Sequence, residues 1–247
     1  MIVPERTRIN ILFSWFRLHG FLLRGTNYYC ICCNAWYQKF LSYGNIPRKN
    51  AMCPYCHSLE RTRLLMYYLI KKTTIFNGEC KILHFAPEKA IERNLKNLKN
   101  EYITADINPA YADHVIDITN IPYPDNYFDY ILCSHVLGHV YNEKKAIDEI
   151  YRVTKPEGNA IILTPLDSDM DKTFEDENIT DPSKRLILYG EPDLLRLHGN
   201  DFLERLKREN MIIDKLDYRL EFSIEEREKF CLGDGKREIL FVCRKKD

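Results

Sequence analysis

From Lys81 to Thr164 short apolar runs alternate with amphipathic stretches, the pattern of a parallel sheet that carries helices on its faces. Lys81-Ile82-Leu83-His84-Phe85 reads as a buried strand. Pro87 to Asn100 reads as a helix that starts on proline and carries Ile91, Leu95 and Leu98 at helical spacing. Tyr102 to Asp106, His114 to Ile118, Phe128 to Ser134 and Asn159 to Thr164 read as four further strands. A helix over Asn142 to Val153 places Ala146, Ile147, Ile150 and Tyr151 on one face. Phe202 to Glu209 looks helical, and Met211 to Asp217 and Ile239 to Arg244 look like the last two strands. The expected class is α/β, a doubly wound sheet of seven mostly parallel strands. With 45% apolar and 29% charged residues, the chain of 247 residues excludes disordered and low-complexity classes.

In such sheets ligands lie beyond the carboxyl ends of the strands. The residues there are Phe85, Ala86 and Glu88 after the first strand, Asp106 and Ile107 after the second, Asp117 and Ile118 at the third, and Ser134 to His139 after the fourth. A carboxylate at the end of the second strand can accept both hydroxyls of a ribose, because its two oxygens lie in one plane. Asp117 can pair with an adenine amino group while Ile118 covers the ring. Either acid alone is more often a solvated turn residue; in register with the sheet they favour a nucleoside.

Upstream, Cys30-Ile31-Cys32-Cys33 and Cys53-Pro54-Tyr55-Cys56 form two pairs 19 residues apart, the spacing of a zinc ribbon. Two such turns can aim Cys30, Cys33, Cys53 and Cys56 at one Zn²⁺; buried thiols are the plainer alternative. Cys32 is a spare, and His57 is an adjacent donor. A redox role is disfavoured because neither pair shows a strand-to-helix context. Four thiolates leave no open position, so a metal here would be structural.

The net charge is zero, but residues 1–75 carry eleven bases against two acids, a net of +9, and the remainder carries −9. Such asymmetry implies mutual docking or an anionic partner such as phosphate, nucleic acid or a lipid headgroup. The apolar stretch Ile9 to Leu23 is interrupted by Asn10, Arg17, His19 and Gly20, too polar for a transmembrane span of roughly 20 residues. Ile11, Leu12, Trp15, Phe16 and Leu22 are compatible with peripheral membrane contact, although packing on the chain itself is the plainer expectation. Without a signal-peptide pattern, nine cysteines point to reduced thiols and a cytoplasmic location.

Three stretches of the alternating region carry a resemblance: Phe-Asp-Tyr-Ile-Leu-Cys-Ser-His-Val-Leu at 128–137, Tyr151-Arg152-Val153-Thr154-Lys155-Pro156-Glu157-Gly158, and the loop Ile121-Pro122-Tyr123-Pro124-Asp125-Asn126. Residues 81–165 resemble a class I S-adenosylmethionine-dependent methyltransferase of the type 11 kind. More narrowly, Cys53-Pro54-Tyr55-Cys56-His57-Ser58-Leu59-Glu60-Arg61, His84-Phe85-Ala86-Pro87-Glu88 and Thr173-Phe174-Glu175-Asp176 are similar to a bacterial subgroup with an N-terminal cysteine-rich module. The resemblance implies a Rossmann-like fold whose last two strands form an antiparallel edge pair. It also implies S-adenosyl-L-methionine as cofactor, near Phe85, Ala86, Glu88, Asp106, Ile107, Asp117, Ile118, Ser134 and His135. Residues 1–75 are then a basic segment with the zinc-ribbon-like module, residues 76–247 the methyltransferase domain, and residues 166–210 an inserted substrate lid.

Three departures stand out. The family's acid-x-Gly-x-Gly motif reads His84, Ala86 and Glu88 here, and Pro87 removes a backbone N–H. Gly138 stands where many relatives carry Glu, and Glu157 replaces a common Gly.

Transfer of a methyl group from a sulfonium needs collinear reactants more than acid–base help. His135 is the candidate base, with His139 four residues on. The favoured acceptor is an O or N atom of a small molecule or of a lipid- or sugar-linked metabolite. RNA, gripped by the basic N-terminal part, is an alternative, but carboxylates clustered from Asp167 to Asp181 would repel phosphate. A non-catalytic protein that binds S-adenosylmethionine is the third reading.

Overall fold

The computed structural model describes Glu5, Thr7, Ile11, Arg17, Leu18 and residues 20–247. Of the N-terminal apolar positions, Leu12, Trp15 and Phe16 lie outside the described residues, while Ile11 and Leu22 are exposed. No helix among the described residues is long and apolar enough to cross a membrane.

Two hairpins come first: β1 (Arg24–Cys30) with β2 (Ala35–Tyr37), and β3 (Leu41–Tyr43) with β4 (Arg48–Met52). Helix α1 (Glu60–Lys72) leads into β5 (Lys81–Phe85), α2 (Lys89–Leu95), β6 (Glu101–Asp106), β7 (His114–Val115), β8 (Phe128–Ser134), α3 (Glu143–Val153) and β9 (Thr154–Leu163). The remainder comprises β10 (Phe174–Glu175), α4 (Pro182–Tyr189), β11 (Arg196–Leu197), α5 (Phe202–Leu206), β12 (Met211–Leu216), α6 (Ile224–Lys229) and β13 (Leu240–Lys245). One sheet of seven strands runs β12-β13-β9-β8-β5-β6-β7, and β13 alone runs opposite to the other six. The doubly wound, mostly parallel expectation holds, with β12 and β13 as the antiparallel edge pair.

Strand residues alternate between two buried faces. Ile82, Leu132 and Ile161 face α1 and α2 in one core with Leu64, Leu65 and Ile91; Leu83, Ile131 and Ile162 face α3 in the other with Ala146, Ile147 and Ile150. Leu64, Leu65 and Leu69 are fully buried, so truncating any one to Ala should cost about 2–5 kcal/mol. Asn142 caps α3 by accepting from the Lys145 N–H at 3.0 Å.

Several boundaries differ from those expected. Helix α2 stops at Leu95, short of Asn100, whose Oδ1 accepts from Cys80 N at 2.9 Å and whose Nδ2 donates to the Ile75 carbonyl at 2.8 Å. Pro87 precedes the cap residue Glu88 instead of opening the helix. The third strand is only two residues long, since Asp113, His114 and Val115 are exposed at the sheet edge; Asp117 and Ile118 lie in the loop beyond it.

The basic N-terminal part docks mainly through apolar packing. One core cluster contains Cys30, Tyr37 and Leu64 together with Leu132, Tyr218 and Val242. Arg63, fully buried, donates to the carbonyls of Phe230 (3.0 Å) and Cys231 (2.6 Å). Among the described residues one ion pair, Lys72–Glu221 at 3.6 Å, joins residues 1–75 to the rest.

Candidate functional site

Two cavities open at the carboxyl ends of β5, β6 and β8, and they share Ala86, His135 and His139. The first, about 550 Å³, is lined by Phe85, Ala86, Asp106, Ile107, Asp117, Ile118 and His135 among others. It thus brings together seven of the nine positions expected to meet a nucleoside. Asp106 Oδ1 accepts from Asn108 N at 2.8 Å, which fixes the carboxylate against the turn. Asp117 Oδ1 is held by the N–H and the hydroxyl of Thr119, both at 2.8 Å. Each acid keeps its second oxygen clear of these turns. Ile118 is buried and Ile107 is largely exposed, and both line the cavity.

Glu88 and Ser134 line the second cavity, of about 580 Å³, with Arg61, Arg237, Glu191 and the β3–β4 turn residue Asn45. Beneath its floor His84 is fully buried. The His84 Nε2 lies 3.0 Å from Glu88 Oε2 and Nδ1 lies 2.8 Å from the Tyr102 hydroxyl. A carboxylate only accepts, so Nε2 carries the proton and Nδ1 takes the Tyr102 O–H. Burial opposes ionisation of Glu88, yet the His84 hydrogen bond and the Arg61 charge hold its carboxyl below the usual range.

Ala86 has φ +45° and His135 φ +57°, both in the left-handed region that favours glycine. The turn of the glycine motif is therefore kept at position 86 without its glycine, and Glu157, another glycine replacement, also has φ +58°. Gly138 answers a different need. A Cβ there would sit 2.7 Å from Leu194 Cδ2, so the glycine lets the segment after α4 close over the loop that follows β8. That closure is tied by Leu195 N to the Gly138 carbonyl (2.9 Å) and by Arg196 Nη1 to the carbonyls of Leu137 (3.0 Å) and Val140 (2.7 Å).

His135 is half-buried and stands among cations. Burial first, and then the Arg61 and Arg237 charges, push its pKa well below 6.5, against the opposing pull of the Arg237 carbonyl. Its Nε2 faces that carbonyl at 3.4 Å, which as an acceptor favours the proton on Nε2 and leaves the Nδ1 lone pair available. His139 lines both cavities and faces Asp193 Oδ2 at 3.4 Å. Within residues 166–210, Gly190 to Asp193 line the cavities, whereas Glu175 of the acid-rich stretch is paired with Arg196 (2.7 Å) and Arg205 (2.9 Å).

The sulfurs of Cys30, Cys33, Cys53 and Cys56 all lie within 4.8 Å of one another, with Cys30–Cys56 at 3.4 Å and Cys33–Cys53 at 3.8 Å. Tetrahedral Zn–S bonds of about 2.3 Å require sulfurs about 3.8 Å apart, so the four thiols fit one zinc ion. Hydroxyls surround them: Ser58 Oγ lies 3.2 Å from Cys30 and Cys56, and Tyr37 OH lies 3.3 Å from Cys33. Cys32 points elsewhere, to the Thr62 carbonyl at 3.9 Å. Contrary to the sequence expectation, the Cys53 pair does stand between a strand, β4, and a helix, α1. Convergence of four sulfurs, and not the lack of that context, is what separates it from a redox pair.

Arg61 and Arg237 were absent from the expected site. Arg61 had a signal, since it closes the run from Cys53 that carries the subgroup resemblance; Arg237 lies in a polar turn with none.

Residues 81–162 match the family described as "Methyltransferase domain". The ubiquinone/menaquinone biosynthesis C-methyltransferase UbiE of Rickettsia akari is 38% identical over 72 residues, 29% of either chain, so this chain spans about three tenths of that relative's length. Among solved structures, the YcgJ protein from Bacillus subtilis is similar with a TM-score of 0.51 and 15% identity over 74% of this chain and 98% of that one. The [4+2]-cyclase SpnF is similar with a TM-score of 0.53 and 15% identity over 84% and 88%. These two likenesses concern the fold; a neighbour named for a cyclisation underlines that fold and chemistry are separate questions.

Proposed function

We propose that the protein is a methyltransferase that uses S-adenosyl-L-methionine to methylate an O or N atom of a small molecule or of a lipid- or sugar-linked metabolite. The observation that carries this reading is the first cavity: Asp106, at the end of β6, and Asp117-Ile118, in the loop beyond the adjacent β7, meet there inside the segment that matches a methyltransferase domain. Asp106 would hold the ribose hydroxyls, Asp117 the adenine amino group, and Ile107 and Ile118 the faces of the ring. Phe85, Ala86, Glu88 and Ser134 would border the remainder of the donor. When bound, the donor supplies a methyl group on a positively charged sulfur.

The acceptor would enter through the second cavity, where His135 and His139 border both spaces. Its lone pair forms the new bond to the methyl carbon as the carbon–sulfur bond breaks, and its proton passes to His135 Nδ1. A neutral imidazole is the form that this step needs, and burial keeps His135 neutral at cell pH.

On this reading residues 1–75 form a basic part with a structural Zn²⁺ on Cys30, Cys33, Cys53 and Cys56, residues 76–247 form the catalytic domain, and residues 166–210 form the lid. The β3–β4 turn reaches that lid, with Asn45 Nδ2 donating to the Gly190 carbonyl at 2.8 Å, so the cysteine-bearing part serves as scaffold and partial cover. Reduced cysteines suit a cytoplasmic protein.

The test is donor consumption against cell extract separated into small-molecule, lipid and RNA fractions. Methyl incorporation is expected in the first or second. Labelled ribosomal or transfer RNA, with affinity that falls steeply in salt, would replace this acceptor class by the nucleic-acid one.

A further inference from the structure

Arg48, Arg61 and Arg237 line the second cavity, and their charges are not equally matched. Arg48 is engaged, with Nε 2.9 Å and Nη2 3.2 Å from the two carboxylate oxygens of Glu60. The Arg237 guanidinium makes one long contact, from Nη1 to Glu191 Oε1 at 3.4 Å. Arg61 Nε is buried without a hydrogen-bond partner, and its guanidinium has no ion-pair partner among the described residues. The lining carboxylate that feels its charge, Glu88, is already bonded by His84 and Ser134. Arg61 also stands on the first turn of α1, where the helix dipole opposes a cation, so helix stability does not account for it. A buried donor left unpaired carries its full desolvation cost, which a ligand of opposite charge would relieve.

We infer that Arg61 and Arg237 bind an anionic group of the acceptor, a carboxylate or a phosphate carried beside the O or N atom that receives the methyl. The inference rests on the acceptor entering through this cavity, as proposed above, and names its chemical class. Arg61 comes from the cysteine-bearing side and Arg237 from the turn before β13, yet both charges are felt at the His135 imidazole. An acceptor that presents its nucleophilic atom to His135 therefore lies in the field of both. A guanidinium meets two oxygens of a carboxylate or phosphate with parallel N–H donors, which fixes orientation as well as charge. The cavity, about 580 Å³, has the size of a small-molecule site.

Two consequences follow from that charge. With a sulfonium bound in the adjoining space, the arginines would face a further positive charge, which an anion on the acceptor offsets; donor and acceptor should then favour each other's binding. The same anion offsets the field of Arg61 and Arg237 at His135, so the imidazole takes up a proton more readily once the acceptor is seated. The cysteine-bearing part thus contributes a residue to acceptor selection, in addition to covering the site.

Calorimetry on the full chain, with and without S-adenosylhomocysteine, tests this with benzoate and phenyl phosphate against neutral benzamide. Wild type should bind at least one anion about tenfold or more above benzamide, the range of a charge-assisted hydrogen bond. Arg61→Met and Arg237→Met should each remove about tenfold from anion affinity and leave benzamide and S-adenosylhomocysteine within about twofold. Arg61→Lys should recover part of the loss. Glycerol 3-phosphate, set against phosphatidylcholine vesicles with and without phosphatidate, separates a soluble ester from a lipid headgroup; binding of either that falls in Arg61→Met supports the inference. Absence of anion binding, equal affinity for the anions and benzamide, or anion affinity unchanged in Arg61→Met overturns it. So does S-adenosylhomocysteine weakened as much as the anions, which would assign Arg61 to the donor. Wild type that binds the anions but not S-adenosylhomocysteine would remove the donor reading and leave the anion site standing.

Discussion

His84 Nε2 and Glu88 Oε2 lie 3.0 Å apart, so two residues that depart from the family's first motif are bonded to each other. The acid expected at the first position and the glycine at the last are replaced by a donor at the end of a strand and an acceptor four residues on, at the cap of the following helix. The pair should therefore be coupled energetically. A double-mutant cycle with His84→Leu and Glu88→Gln, read by denaturant unfolding, should give a coupling of about 1 kcal/mol or more. Strict additivity would mean that the contact contributes nothing.

Removal of metal should destabilise the N-terminal part. Elemental analysis is expected to find close to one zinc per chain, and chelation or Cys53→Ser should lower the melting temperature. An unchanged melting profile after complete chelation would return the four thiols to ordinary buried cysteines.

Asp106→Ala should weaken S-adenosylhomocysteine at least tenfold, because it deletes the acceptor for charge-assisted hydrogen bonds, each contributing about 1.5–3 kcal/mol. Titration calorimetry reads the change. Retained affinity would move the ribose contact to Asp117.

His135→Ala should lower kcat about 10²-fold for an alcohol or phenol acceptor and barely alter donor affinity. Because burial depresses its pKa, the acid limb of the wild-type rate profile is expected below pH 6.5, not at the ordinary imidazole value, with a plateau through neutrality. The limb should vanish in the variant. Full turnover together with full acceptor affinity would leave His135 a packing group and make His139 the next candidate.

Glu238 sets an opposite trend in stability. It is 2% exposed, accepts the N–H groups of Gly235 (2.9 Å) and Arg237 (3.3 Å), and is pushed up to about 7 chiefly by burial. Its folded pKa exceeds the unfolded one, so its favourable contribution is complete below about pH 4.3 and is lost as pH rises through 7. Glu238→Gln should gain on wild type in thermal unfolding between pH 5.5 and 8. A constant difference across that range would show that the carboxyl ionises normally.

Periodicity by itself specified the parallel sheet: β5 and β8 have the predicted limits because runs buried on both faces are apolar at nearly every position. Asp106 at the end of its strand and the two cysteine pairs were equally legible, since their spacing along the chain carries their geometry. Edges were less so. The third strand shrank to His114–Val115 because exposure at the sheet rim removes the apolar pattern that marks a strand. What only the tertiary structure decided is which distant side chains share a space. Arg61 reads locally as one more charge on a helix, and Glu88 as a cap; they become two walls of one cavity because apolar packing seats α1 beneath the sheet. Likewise His84 reads as a lost acid until Tyr102, across the β5–β6 ladder, fixes its tautomer and aims its proton at Glu88. Sequence periodicity reports how much of each residue is buried, whereas a binding site depends on which polar atoms burial leaves facing one another, and that is settled only when all the elements are packed.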